Sequence, residues 1–389
     1  MHSTLFKNHE LKGKHYYKYF GSEFLGPLVY EFCNWIHSIA GNGNLLFLAR
    51  EGDVFARYYN QMFHTNCKTV YVSRKAILKG VFYDFLKNSR LEELADIISL
   101  NAFETVGDFS MRVGIDLDTH EAEMNQCNIK AEDRLTVQFF KYLEENQSQY
   151  LSELYENKVL FDQYINTFID ATKTNYLVDL GWKGSMQKCL EMYFKINNQT
   201  VNIQGLYFGC MDTENKSGFA FQNTGNVCQD FLCFSGLLEV VFMPKYGSVL
   251  GYISEGGEVV PVFEQLEFPE NVYQIIESVQ DGVETVIKNM TRYAGSSCFD
   301  KEKYIKKLID FGCKPTKNDI EQLKPLVMYD NGKTMELVPS YSFQERFNIK
   351  KLVHDFINSK WKTAFCIDVF KVRLPYNHAI NFLRRGAKK

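Results

Sequence analysis

This 389-residue sequence lacks a global basic field: 44 Lys and Arg stand against 47 Asp and Glu, a net charge of −3. Without that excess the chain lacks the phosphate-neutralising charge that nucleic-acid binding draws on, and there is no case for that partner. The ten cysteines form no Cys-x-x-Cys pair. They are scattered among apolar neighbours, as at Cys33, Cys67, Cys127, Cys189, Cys210 and Cys298. That usage fits the reduced thiols of a cytoplasmic protein rather than a disulfide framework. No apolar run approaches the roughly 20 residues that span a bilayer. The amino-terminal stretch, polar and rich in Lys, His and Tyr, does not read as a signal peptide. Repeats and low-complexity segments are also missing. What remains is ample for a packed core, since 45% of residues are hydrophobic and 15% aromatic. The length allows one large α/β domain with additions, or two domains.

The chain is organised around Leu45–Asp53, LLFLAREGD. Five apolar residues stop at Arg50, Glu51, Gly52 and Asp53, and apolar positions then recur at helical spacing through Val54, Phe55, Tyr58, Tyr59 and Met62. A short, fully apolar run is the pattern of a strand buried on both faces of a parallel sheet. The polar cluster therefore falls at the strand's carboxyl end, the edge where open α/β sheets bind ligands, with a helix beginning near Val54 and Asp53 as its cap.

A second such unit is Asn175–Phe194. Tyr176, Leu177 and Val178 read as strand, Asp179–Lys183 as turn, and Gly184 onward as helix. A turn bracketed by Gly181 and Gly184, with Ser185 at a helix start, leaves backbone N–H groups pointing outward, an arrangement suited to phosphate. It is not a Walker loop, because the glycine spacing is too short and no Gly-Lys-Ser/Thr follows.

Taken in order, Met1–Lys18 reads as a loose polar entry and Tyr19–Ile39 as a helix. Thr69–Ser73 reads as a second strand ending at the basic pair Arg74-Lys75, which makes a βαβ unit with the first strand. Residues 76–174 read as a helical insertion capping the site, with helices at Leu91–Leu100 and Leu135–Tyr155. Its IDLDTH, Ile115–His120, offers an Asp-x-Asp, but no buried strand precedes it, so it reads as a solvated turn. Val201–Gly209 is a strand followed by a polar loop to Asn226. Phe231–Val241 is an apolar helix carrying one acid, Glu239. Met243–Tyr252 and Val259–Val262 can pair as a hairpin, and the chain is helical from Pro269. The expected class is α/β: a Rossmann-like, mostly parallel sheet with a catalytic domain over 1–290 and a helical region over 291–389. The tail Leu383–Lys389 is a frayed solvated end, with weak peripheral contact to an anionic membrane face as the alternative.

The Arg50–Asp53 turn, Arg74-Lys75 and Asp179–Ser185 together look like the parts of a phosphoribosyltransferase site, with cations for the leaving diphosphate and a carboxylate for the ribose or a magnesium ion. LGPLVYEFCNWI, LLFLAREGD, VYVSRKAI, VDLGWKGSMQ, GLYFG and YGSVLGY also occur in an order that resembles one family. This is the glycan phosphoribosyltransferase domain of bacterial surface-polysaccharide proteins described as haloacid-dehalogenase-like. The resemblance covers roughly residues 20–290. It implies transfer of ribofuranose 5-phosphate from phosphoribosyl diphosphate to an oligosaccharide or lipid-linked acceptor of O-antigen or capsule, in the cytoplasm or at the inner face of the cell membrane. The implied catalytic residues are Glu51, Asp179 and Glu239, with Asp179 as a ligand for Mg2+. The implied substrate-binding residues are Arg50, Gly52, Asp53, Arg74, Lys75, Gly181, Trp182, Lys183, Gly184, Ser185 and Gln187. Two departures stand out. Only residues 1–44 precede the first strand, where the family carries a phosphatase domain, which implies a separate phosphatase or a different product. Asp53 stands where the pattern leads one to expect a large residue. A haloacid-dehalogenase-type sugar phosphatase and a non-catalytic phosphosugar-binding scaffold are the alternative readings.

Overall fold

The computed structural model describes residues 11–94, 114–115, 140–292, 299–330 and 333–386. Five strands form an all-parallel sheet: β1 (Asn44–Leu48), β2 (Thr69–Val70), β3 (Asn175–Trp182), β4 (Ile203–Cys210) and β5 (Lys216–Gln222), in the order β2-β1-β3-β4-β5. Asn44 to Phe47 lie opposite Asn175 to Val178, and Asn175 lies opposite Ile203. In this doubly wound order the chain reverses direction between β1 and β3, and the crevice at that switch point is where such sheets place ligands.

The apolar runs cover both faces of the sheet, as expected for parallel strands. Phe47, Val178, Leu206 and Phe208 belong to the larger core, which α2 (Gly26–Ala40) and α3 (Glu51–Phe63) cover. Leu46, Leu48, Leu177 and Ile203 belong to a second core with α4 (Arg74–Lys87), α5 (Gln147–Asn166) and α6 (Ser185–Ile196). The described part of the 76–174 insertion therefore forms the layer on one sheet face and is not a cap over the site. Its apolar residues Ile77, Val81, Phe85 and Phe161 are buried there, and burying that area outweighs anything a solvated lid could gain. Asp116–His120 and most of the 91–100 helix lie outside the described residues.

Several boundaries differ from the sequence reading, each for a local reason. α1 (Gly13–Phe20) starts inside the segment read as a loose entry, because Tyr16 and Phe20 are buried in the larger core. Only Thr69 and Val70 pair in β2; the Tyr71 N–H leaves the sheet to donate to the Tyr164 hydroxyl at 2.9 Å. The loop expected up to Asn226 contains β5, reached from β4 through residues 211–215 alone. Parallel neighbours normally need a crossover of a dozen or more residues, so so short a link does not announce a strand. The single helix expected over 231–241 is two, α7 (Asn226–Phe231) and α8 (Ser235–Val241). Between them the Cys233 carbonyl accepts from the Lys362 N–H at 2.8 Å, and the Gly236 N–H donates to the Lys360 carbonyl at 3.3 Å, so contacts with the distant chain replace helical ones.

The hairpin expected after Met243 is present as β6 (Val249–Glu255) and β7 (Glu258–Phe263). Beyond it come α9 (Glu270–Arg292), α10 (Lys301–Cys313) and α11 (Lys317–Leu323), then a second hairpin, β8 (Val327–Asp330) and β9 (Lys333–Glu336). The end is α12 (Ile349–Asn358), α13 (Lys362–Phe370) and α14 (Tyr376–Gly386). The carboxyl-terminal region thus carries a hairpin as well as helices. It shares the larger core: Leu308, Phe311, Trp361, Phe365 and Ile380 are buried with the residues of α2 and α3. The Trp361 indole N–H donates to the Gly312 carbonyl at 2.8 Å. No helix among the described residues is long and apolar enough to cross a membrane, and the eight described cysteines are free thiols.

Candidate functional site

The carboxyl ends of β1 and β3 flank the switch point, and each delivers a buried acid. α3 begins at Glu51 rather than near Val54, so Asp53 is not its cap; Arg50 holds that position and caps with no side-chain hydrogen bond. The chain can turn into the helix this early because Gly52 has no side chain. A Cβ there would sit 3.0 Å from the Val178 carbonyl oxygen and crowd the backbone of Phe47. Glu51 therefore lies on the first turn of α3, where the helix dipole favours a carboxylate. Arg50 places Nη2 3.7 Å from Glu51 Oε1, and its Nη1 donates to the Tyr329 carbonyl of β8 at 3.5 Å.

Asp179 is buried in β3, its Oδ1 accepting from the Leu180 N–H at 2.8 Å. Three residues on, Trp182 adopts φ +82°, and its indole N–H donates to Glu239 Oε1 of α8 at 2.8 Å. The Trp182 ring stacks on Phe221 of β5, centroids 5.9 Å apart. Glu239 is thereby held within electrostatic reach of the other two acids. Burial first, then the Glu51 charge, raises the Asp179 carboxyl well above its ordinary value; the Leu180 N–H opposes the rise, Glu239 adds to it and Arg50 opposes it. Glu239 is pushed up to about 7 by burial and by Glu51, against the Trp182 indole, Lys360 and Arg50. Asp179 and Glu239 are thus both held toward the protonated form by desolvation and by the like charge of Glu51, with the Arg50 guanidinium opposing. Among the described residues no three or more His, Cys, Asp or Glu side chains converge as a metal cage.

The other expected residues are placed differently. Asp53 faces away from the acids and accepts from the Thr69 hydroxyl at 2.6 Å. It lines a cavity of about 440 Å3 with Thr69, Arg57, Tyr246 and Tyr273. A second cavity, of about 580 Å3, lies against α1 and α9 and is lined by none of the three clustered acids. Arg74 is exposed at the start of α4, where its charge acts on Cys189 of α6. Lys75 lies against Gly114.

In the second turn β3 runs on through Trp182, and Gly181 takes φ +105°. A Cβ on Gly181 would collide with the Gly209 carbonyl and the Tyr207 side chain. Gly184 caps α6 at φ +64°, and a Cβ there would meet Lys216 Cε at 2.6 Å. Lys216 is itself buried, its ammonium 3.3 Å from Asp212 Oδ2 and donating to the Glu214 carbonyl at 2.9 Å; Lys188 approaches the same acid at 3.1 Å. The polar atoms of Gln187 are taken inside the fold: Oε1 accepts from Tyr207, and Nε2 donates to Glu191 and the Asn215 carbonyl. Lys183 is exposed and Ser185 half-buried.

Two neighbours of the cluster carried no sequence signal. The Tyr329 carbonyl and Lys360 come from the far end of the chain, and neither stands in a motif. Tyr246, within YGSVLGY, is the one additional residue a motif pointed to; burial and the charge of Asp53 push its phenol up. No family model matches the chain, and no curated protein matches it.

Proposed function

We propose that the chain is a glycosyltransferase that moves ribofuranose 5-phosphate from phosphoribosyl diphosphate to a glycan acceptor. The observation that carries this reading is the gathering of Glu51, Asp179 and Glu239 around Arg50 at the seam of β1 and β3. In the reaction the anomeric C–O bond to diphosphate breaks with its electron pair leaving on the diphosphate. The acceptor oxygen bonds to the anomeric carbon, and the acceptor's hydroxyl proton passes to a carboxylate. Arg50 faces the leaving diphosphate, and Glu51 and Asp179 steer the ribose and offset its oxocarbenium-like charge. Glu239, raised to about 7, takes the proton, since a base titrating near the working pH moves protons best.

Two neighbouring carboxylates without a third ligand suit a magnesium ion that arrives with the diphosphate rather than one caged by protein. Asp179 and Glu51 would hold it, and when bound it would supply charge neutralisation for the leaving group. The acceptor is an oligosaccharide or lipid-linked glycan of bacterial surface-polysaccharide assembly at the inner face of the membrane. Incubation with phosphoribosyl diphosphate and candidate acceptors, followed by product mass, tests the reading. A ribose phosphate added to the acceptor and release of diphosphate are expected. No product from any acceptor, together with no donor binding by calorimetry, would sink it.

A further inference from the structure

The carboxyl-terminal stretch of the sequence is basic in composition, unlike the rest. Residues 343–389 hold eleven Lys or Arg and three Asp or Glu, in a chain whose totals are 44 and 47. Helix α12 packs Leu352 and Phe356 against the larger core. The neighbouring stripe Ile349, Val353 and Ile357, at four-residue spacing, is 74%, 53% and 48% exposed. Just before it Phe343 and Phe347 are 78% and 70% exposed, their rings edge to face with centroids 5.3 Å apart. One apolar stripe seats a helix on its protein; a second stripe of large exposed side chains calls for another partner. Lys350 is exposed on the same helix. Both acids of residues 343–358 are held by neighbours: Glu345 by Lys351 at 2.7 Å and the Ser342 N–H at 2.9 Å, Asp355 by the Tyr341 hydroxyl at 2.6 Å and His354 at 3.0 Å. The alternation recurs in sequence further on, where Phe370, Val372 and Leu374 alternate with Lys371 and Arg373, and Phe382 and Leu383 precede Arg384, but there Lys371 pairs with Asp368 and the two arginines donate to main-chain carbonyls.

We propose that α12 and the Phe343–Phe347 turn lie on the surface of a bilayer containing anionic phospholipid. Rings and branched side chains enter the headgroup boundary while the interleaved cations meet lipid phosphates, which satisfies both halves of the pattern. A second copy of this chain fits less well, because a twofold contact sets the same basic face against itself. The proposal does not rest on the identity of the donor.

The test is sedimentation of the full chain with vesicles of phosphatidylglycerol and phosphatidylcholine in equal parts, beside vesicles of phosphatidylcholine alone. The wild-type chain is expected to pellet with the anionic vesicles only, and to be released as salt rises. Phe347→Ser with Val353→Ser and Ile357→Ser should cut the bound fraction about tenfold with an unchanged melting temperature, all three being exposed. Lys350→Gln should cut it about fivefold. A wild-type chain left in the supernatant, or a triple variant that pellets like it, overturns the proposal. So does a wild-type dimer by sedimentation equilibrium that the triple variant turns into a monomer, because the face is then covered by a second copy.

Discussion

The two strand–turn–helix units read alike in sequence, yet they are built for different tasks. At the first, Arg50 and Glu51 bring opposite charges to the sheet edge, and the missing side chain of Gly52 lets the helix come close enough to do so. At the second, the glycines serve packing: Gly181 clears the β4 backbone, Gly184 clears a buried lysine, and Gln187 is sealed by Tyr207. Only Asp179 and Trp182 of that unit reach the cluster of acids. A glycine-rich turn is thus a statement about space before it is one about phosphate, and what fills the space decides between them.

If the comparison holds, substitutions of the clustered charges remove turnover at intact stability, and substitutions of the second turn's glycines remove stability. Arg50→Ala should show the largest effect, a loss of about 10³-fold in donor turnover, the scale of a lost transition-state charge contact. Steady-state kinetics at matched folded fraction measures it, and near-wild-type turnover would take Arg50 out of the site. Gly181→Ala should cost about 3 kcal/mol in urea unfolding, since both its φ and its neighbours reject a Cβ. An unchanged midpoint would show that the second turn yields easily, which breaks the contrast. Glu51→Gln and Asp179→Asn should each lower turnover about 10²-fold without lowering stability at pH 8, because each removes a charge from a crowded, desolvated place. Loss of the fold in both would mean that these acids are structural.

Glu239→Gln sharpens the contrast through pH. Folding raises this carboxyl from 4.5 to about 7, so the folded state binds the proton more tightly than the unfolded one. Its stabilising contribution is full below about pH 4 and is lost as pH rises through 7. The wild-type chain should therefore weaken between pH 5 and pH 8, and the variant should be more stable than it by about 2 kcal/mol at pH 8 and equal at pH 5. Parallel curves for the two proteins would place the titration elsewhere. The smallest effect belongs to Lys183→Ala, where an exposed side chain is removed: about 0.5 kcal/mol or less in stability. A larger drop would mean the lysine packs into the second turn.

The elements legible in the sequence were those whose pattern is local. LLFLA and the stripes of α2 and α9 state their own burial, and an acid at the end of each strand states its own position. β5 was not legible, because Lys216 sits in it with a buried stem and a five-residue link precedes it. Nor was the break between α7 and α8, which depends on hydrogen bonds to Lys360 and Lys362. The same limit applies at the site. Glu239 could be named, but Trp182 as its holder, and Tyr329 and Lys360 as its surroundings, depend on tertiary contacts that no spacing encodes.

The five-residue link between β4 and β5 also bears on when the site comes into being. Gly205 pairs with Lys216 and Asn175 with Ile203, whereas Asn44 reaches Asn175 across 131 residues. Closing the longer loop costs about 2 kcal/mol more in chain entropy than closing the shortest. The β3-β4-β5 half should therefore zip first, and β1, carrying Arg50 and Glu51, should dock last. Pulse-labelled hydrogen exchange during refolding would see β4 amides protected before those of β1, and the reverse order would refute this sequence. Assembled in that order, the repelling carboxylates meet only after the rest of the sheet is in place to hold them.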